Sequence, residues 1–225
     1  TRISATIAGL DQGAFELDTD RSAVDSGAIR NFPDNTLIPA LLTFKAAKPG
    51  KEFRPGAFID DVTPTPDSLS VRVTHQFVRL PDDGYQARNF HPRSGYFALE
   101  YRDYAAALDE PVEQRLIYRH RLEPGETLTY YVDNGTPEPV RSALIEGALW
   151  WKDAFEAAGF ENGFSVEVLP EGADPLDARY NVIQWVHRST RGWSYGSSIA
   201  DPRTGEIIKG HVSLGSLRVR QDQLI

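Results

Sequence analysis

Between Leu128 and Leu169 the chain spells a strand, a helix and a strand in an order that leaves little room for any other arrangement. Leu128 to Val132 (LTYYV) and Phe164 to Leu169 (FSVEVL) are short runs of aromatic and β-branched residues, the composition of strands. Between them, over Pro139 to Ala158, Val140, Leu144, Ala148, Trp151, Phe155 and Ala158 recur at spacings of three and four, which draws one apolar stripe along a helix. Thr136, just ahead of Pro137 and Pro139, is the expected N-cap. Gly159 stands where a left-handed C-cap belongs, with Phe160 behind it to close a contact on the last turn. The stripe predicts core packing for Trp151, and Trp150, about 100° round the helix, is its partly buried neighbour. A strand, helix, strand unit of this kind normally has parallel strands and a right-handed crossover.

Downstream, Pro170 to Asp177 reads as a loop, and Tyr180 to Val186 as a strand apolar enough to sit centrally in a sheet. A glycine-rich excursion follows, then a strand near Ser194 to Ala200. The turn Asp201-Pro202-Arg203-Thr204-Gly205 and a strand over Glu206 to Leu214 complete the unit. Upstream the chain looks β-rich. Thr1 to Leu10 and Ala14 to Leu17 flank the turn Asp11-Gln12-Gly13, Leu37 to Phe44 is an apolar run, and Lys48 to Pro66 holds four prolines and predicts a loop. Ser68 to Leu80 alternates cleanly, with Leu69, Val71, Val73 and Phe77 on one face. His75 shares that face and is expected to be a hydrogen-bonded core imidazole. Tyr85 to Phe90 is the candidate partner strand beyond the turn Pro81-Asp82-Asp83-Gly84, and Gly95 to Tyr101 pairs with Val112 to Arg121. The expected division is a β-rich domain over 1–124 and a second domain over 125–225, in an α+β or α/β fold.

Composition narrows the partners. A formal charge of -8 and the absence of any basic run argue against a nucleic-acid backbone. No window approaches the ~20 apolar residues that span a bilayer, and no signal-peptide order opens the chain. With no cysteine there are no disulfides, thiolate zinc sites or cysteine nucleophiles. A chain that begins at Thr1 and contains no methionine is expected to be a piece of something longer.

Several short motifs carry chemistry in other settings. Gly192-Trp193-Ser194-Tyr195-Gly196 matches the G-x-S-x-G elbow, with Asp201 and His211 following in hydrolase order. An elbow must stand between a strand and a helix, whereas the residues after Ser194 read as strand and turn. His187 and His211 could approach one another as a metal pair if their strands are neighbours in the sheet, although strand histidines are more often satisfied by ordinary hydrogen bonds. Asp18, Asp20, Ser22 and Asp25 have a calcium-loop cadence, but Ala23 and Ile29 stand where the loop needs Gly and Glu, so a solvated turn is expected. Arg88, Arg93, Arg102 and Arg119 read as solvated or ion-paired faces.

Longer runs are more specific. TPEPVRSALIEGALWWKDAFEAAGF, then ARYNVIQWVHR and YGSSIADPRTGEIIKGHVSLGS, resemble a family of bacterial zinc-dependent metalloproteases of the metzincin type. FHPRSGYFALEYRDY and the strand ending in YRHRLEP resemble the uncharacterised β-rich domain that precedes its catalytic domain. The resemblance implies the upper half of a metzincin-like catalytic domain: strand, helix, strand, strand, antiparallel edge strand, strand. It implies zinc and a glutamate base on a later H-E-x-x-H-x-x-G-x-x-H helix, which these 225 residues do not contain. No catalytic or metal-binding residue is therefore assigned here, no zinc is expected in this piece, and it is expected to be inactive alone. The implied partners are a peptide or protein substrate and the remaining C-terminal part of the catalytic domain, and the implied location is exported. The substrate-binding edge maps onto Tyr195, Gly196, Ser197, Ser198 and Ile199, where a peptide would add as a further strand. The alternatives are a non-catalytic β-rich binding module of an exported protein and a serine hydrolase using Ser194.

Overall fold

The computed structural model describes residues 15–46, 62–64, 68–187 and 194–219. The chain is mixed α and β, with three sheets and one long, interrupted helix among these residues. It divides into two compact units, Thr1–Val78 and Arg79–Ile225. Residues 79–124, expected with the β-rich part, lie in the same unit as the strand, helix, strand stretch.

In the first unit, β1 (Phe15–Leu17), β2 (Ala23–Val24) and β3 (Arg30–Asn31) are short. β4 (Asn35–Ala46) is long, and it is followed by β5 (Val62–Pro64) and β6 (Ser68–Val78). β4 pairs antiparallel with β6 from Asn35↔Val78 to Lys45↔Ser68, while β1, β2 and β3 share its other edge in succession. That register stacks Phe44 on Leu69, Leu42 on Val71 and Ala40 on Val73 on one face, as the alternation in Ser68 to Leu80 predicts. Thr43 and Ser70 face the other way and share a 2.9 Å hydrogen bond. Two expectations need correction. His75 is exposed rather than buried, because the apolar face closes only at its Phe44 end, and Phe77 is 62% exposed two residues along. Tyr85 to Phe90 forms no strand: β6 pairs with β4 and β5 instead, and Asn89 makes an isolated bridge to Leu116. The acidic turn behaves as expected, with Asp18 accepting from its own Asp20 and Arg21 amides. The N-terminal hairpin and the Lys48 to Pro66 loop fall largely outside the described residues.

The second unit opens with the antiparallel pair β7 (Ala98–Arg102) and β8 (Glu113–Ile117) and continues with β9 (Arg119–His120). The larger sheet adds β10 (Leu128–Val132), β11 (Phe164–Val168), β12 (Asn181–Val186), β13 (Tyr195–Ala200) and β14 (Glu206–Gly215), in the order β11-β10-β12-β14-β13. All of these pairs are parallel except β13 with β14. β12 buries residues on both faces (Ile183 on the face it shares with the buried Val132 of β10, Val182 on the other), as a central parallel strand requires. β9 also pairs parallel with β14, and because Ile207 meets both His120 and Ala200, β9 lies on the β12 side of β14.

The helix forms as α1 (Val140–Leu149) and α2 (Trp151–Ala157), interrupted only at Trp150. Its C-terminus is the predicted cap: Gly159 takes φ 90°, its amide bonds Glu156 O, and the Phe160 amide bonds Phe155 O at 2.9 Å. Its N-terminus differs from expectation. The Thr136 hydroxyl is buried without a hydrogen-bond partner, and Glu138 supplies the cap by accepting from the Ser142 amide and hydroxyl at 3.3 and 2.7 Å. A carboxylate there also suits the positive end of the helix. Val140, Leu144, Ala148 and Phe155 of the apolar stripe are half-buried, and the Phe155 ring stacks on Phe164 at 5.1 Å. Trp151 is 63% exposed and Trp150 75%, so the expected core position for Trp151 is overturned: the helix leaves a trough between itself and the sheet, and Trp151 stands on its rim.

Candidate functional site

β13 ends the larger sheet, and no described strand pairs with its outer edge. Tyr195, Gly196, Ser197 and Ser198 are exposed and Ile199 half-buried. The five residues expected to bind an extended chain therefore share one strand, held from its inner side by Tyr195↔Ser213 through Ile199↔Lys209. The outer edge of a sheet is where a peptide can add as a further strand through main-chain hydrogen bonds.

The turn that sets this edge in place is rigid. Asp201 is fully buried; its main-chain oxygen accepts from the Gly205 amide, and its carboxylate accepts from the Arg203 amide at 2.8 Å. The Arg203 guanidinium meets both carboxylate oxygens, Nε at 3.0 and 3.1 Å and Nη2 at 2.7 Å, and this pairing holds the Asp201 carboxyl below the usual carboxylate range. Arg203 goes on to Asp83 and to the Pro81 carbonyl. Arg121 bridges Glu206 and Asp82 in the same way, at 3.0 and 2.9 Å. The Pro81 to Gly84 turn and the Asp201 to Glu206 turn are thus clamped by two arginines. Gly205, at φ 78°, lies so close to β8 that a Cβ would stand 2.5 Å from the Ile117 carbonyl oxygen.

Further along β14, Gly210 admits the Tyr130 ring, since a Cβ there would lie 2.0 Å from the Tyr130 hydroxyl. That hydroxyl is 3.2 Å from His120 Nε2, and Tyr130 packs on Phe164. Burial lowers the His120 imidazole to about 4 and raises the Tyr130 phenol. Both line a cavity of about 330 Å³ with Trp151, Phe155 and Val212, and a neighbouring one of about 510 Å³ continues past His120 to Tyr96 and Tyr118. On the opposite face, Lys209 is 2% exposed and its ammonium donates to the main-chain oxygens of Asp177 and Tyr180. Burial depresses it to about 8. It fastens the Pro170 to Tyr180 loop to the sheet.

The rival arrangements are not assembled. Ser194 and Asp201 stand at opposite ends of β13, roughly 20 Å apart at strand rise, and the Asp201 carboxylate is consumed by Arg203. Gly192 and Trp193 lie outside the described residues. His211 pairs with Val182 in register, five residues before His187, which places the two imidazoles about 16 Å apart along the strands. His187 instead bonds the Ser216 hydroxyl at 2.9 Å. The described residues include no group of three or more His, Cys, Asp or Glu side chains that could hold a metal ion. They therefore do not fit a zinc centre, and no chemical step is derived through one. Sequence reasoning missed the arginine clamps and the trough. The Lys-Gly-His run inside β14 was the available signal, since a glycine within a strand marks close approach.

These features define an α+β chain with an aromatic trough and a sheet edge that no described strand covers. Residues 2–125 match the family model described as a domain of unknown function (DUF5117), which covers more than half of the chain. The chain belongs to that family. No curated protein and no solved structure matches it. No helix among the described residues is long and apolar enough to cross a membrane.

Proposed function

We propose that this chain is the substrate-binding part of an exported zinc-dependent metalloendopeptidase, and that β13 is the edge on which an extended peptide docks. The observation that carries the reading is the sheet order, with a single antiparallel strand at the end of an otherwise parallel sheet and exposed small residues along it. Main-chain pairing to Tyr195–Ile199 holds the peptide extended and fixes its register. The zinc ligands and the glutamate base belong to chain outside these 225 residues, in keeping with the resemblance in sequence.

The test is to express these residues with the sequence that naturally follows Ile225 and assay cleavage of an unfolded protein such as casein. Cleavage stopped by a zinc chelator and restored by zinc supports the reading. A following sequence without H-E-x-x-H, or cleavage indifferent to chelation, rejects it. A non-catalytic binding module would retain peptide binding and show no cleavage under either condition.

A further inference from the structure

We infer that the groove beside β13 is a side-chain pocket that selects an aromatic or large aliphatic residue of the docked peptide. The inference rests on the reading of β13 as the docking edge and adds what that edge prefers. Gly196 and Ser198 point to the same face of the sheet as Val212 and Gly210, their register partners. There they open on a groove of about 560 Å³ whose other walls are Tyr96, Phe97, Tyr118 and Ile207. No charged side chain among the described residues lines it. The Tyr118 amide donates to the Phe97 carbonyl at 3.0 Å, which pins the aromatic wall to the end of β8. Phe97 is nevertheless 87% exposed, a large apolar surface.

Gly196 is the second observation. Its φ is not positive, and a Cβ built on it meets no atom within 4 Å, so neither backbone conformation nor packing calls for glycine. A strand glycine with no such need fits a site where another backbone approaches closely. A strand added outside β13 alternates its side chains, and those on this face lie beside Gly196 and Ser198. An aromatic ring there reaches across the bare glycine onto Tyr96 and Phe97, as aromatic side chains do across a strand pair. A charged side chain would lose its water against the same walls without gaining a partner.

The test uses blocked hexapeptides in a Ser/Thr background with Phe, Leu, Ala, Lys or Asp at one central position. Binding is read from amide hydrogen exchange of Tyr195–Ile199 and from titration calorimetry. Phe and Leu peptides should bind about tenfold or more tighter than Ala, Lys and Asp peptides. Gly196→Val, which has room to fold, should bring the Phe peptide down to the affinity that the same variant shows for the Ala peptide. Equal protection by all five peptides overturns the pocket and leaves the docking edge standing. Protection by none overturns both. A Phe preference that survives Gly196→Val and is abolished by neither Phe97→Ser nor Tyr96→Ser places selection elsewhere and also overturns the pocket.

Discussion

Gly205 and Gly196 belong to one hairpin and are held by opposite constraints. At Gly205 the backbone is left-handed and a carbonyl stands where a Cβ would go. At Gly196 the backbone is ordinary and the space is empty. The contrast extends to their neighbours: around Gly205 lie ion pairs with buried carboxylates, and around Gly196 lie exposed serines and a bare aromatic wall. A fold spends its tightest packing where geometry must be fixed and leaves open what another molecule completes. The turn and β14 are scaffold, and β13 is the surface on which we propose that a peptide docks.

The strongest test of the scaffold half is Gly205→Ala. The left-handed conformation costs about 1–2 kcal/mol for a residue with a Cβ, and the contact with the Ile117 carbonyl cannot be relieved by a side-chain rotation. We expect a loss of about 3 kcal/mol or more in denaturant unfolding. A loss below about 1 kcal/mol would show that the turn yields and would dissolve the contrast with Gly196. Lys209→Ala attacks the same scaffold from the other face. It removes a buried stem and strands the Asp177 and Tyr180 carbonyls, with an expected cost of about 2–4 kcal/mol and earliest exchange in the Pro170 to Tyr180 loop.

The pH dependence of stability comes next in size. His120 titrates near 4 when folded and near 6.5 when unfolded, so between those values the unfolded chain binds the extra proton. Its contribution is complete above pH 6.5 and is lost as pH falls towards 4, by at most roughly 3 kcal/mol and less where solvent reaches the ring. His120→Phe should flatten that slope in a series of melts from pH 4 to 7. An unchanged slope would mean that the ring is not buried against Tyr130. Lys209 carries the same sign at higher pH: its folded value near 8 lies below the ordinary 10.5, so stability rises with pH across that interval.

How far this division was legible in the sequence follows from the range of the forces involved. The helix stripe, Gly159 and the alternation in Ser68 to Val78 are local patterns, and each element formed within a few residues of its expected ends. Burial depends on what stands opposite, and there the local pattern misled. Trp151 lies on the stripe yet is exposed, and His75 lies on an apolar face that does not close. The hairpin looked like chemistry because Ser194, Asp201 and His211 follow one another. Strand geometry separates Ser194 from Asp201, and the carboxylate is committed to Arg203, two residues away. The clamp to Asp83 joins residues 120 apart in sequence and had no local sign.

The smallest expected effect is the most discriminating. Gly196→Val places a β-branched residue, favoured in strands, where a glycine pays no structural role and nothing lies within 4 Å. Replacing glycine also narrows the unfolded ensemble, so stability should change by less than about 0.5 kcal/mol or rise slightly. Unfolding midpoints of the variant and the parent chain, compared under identical conditions, check this. A loss above about 1 kcal/mol would mean that the fold itself needs glycine there, so that Gly196 would join Gly205 as scaffold. A neutral result leaves the empty space beside β13 without a structural purpose of its own, and the purpose then lies in what binds against it.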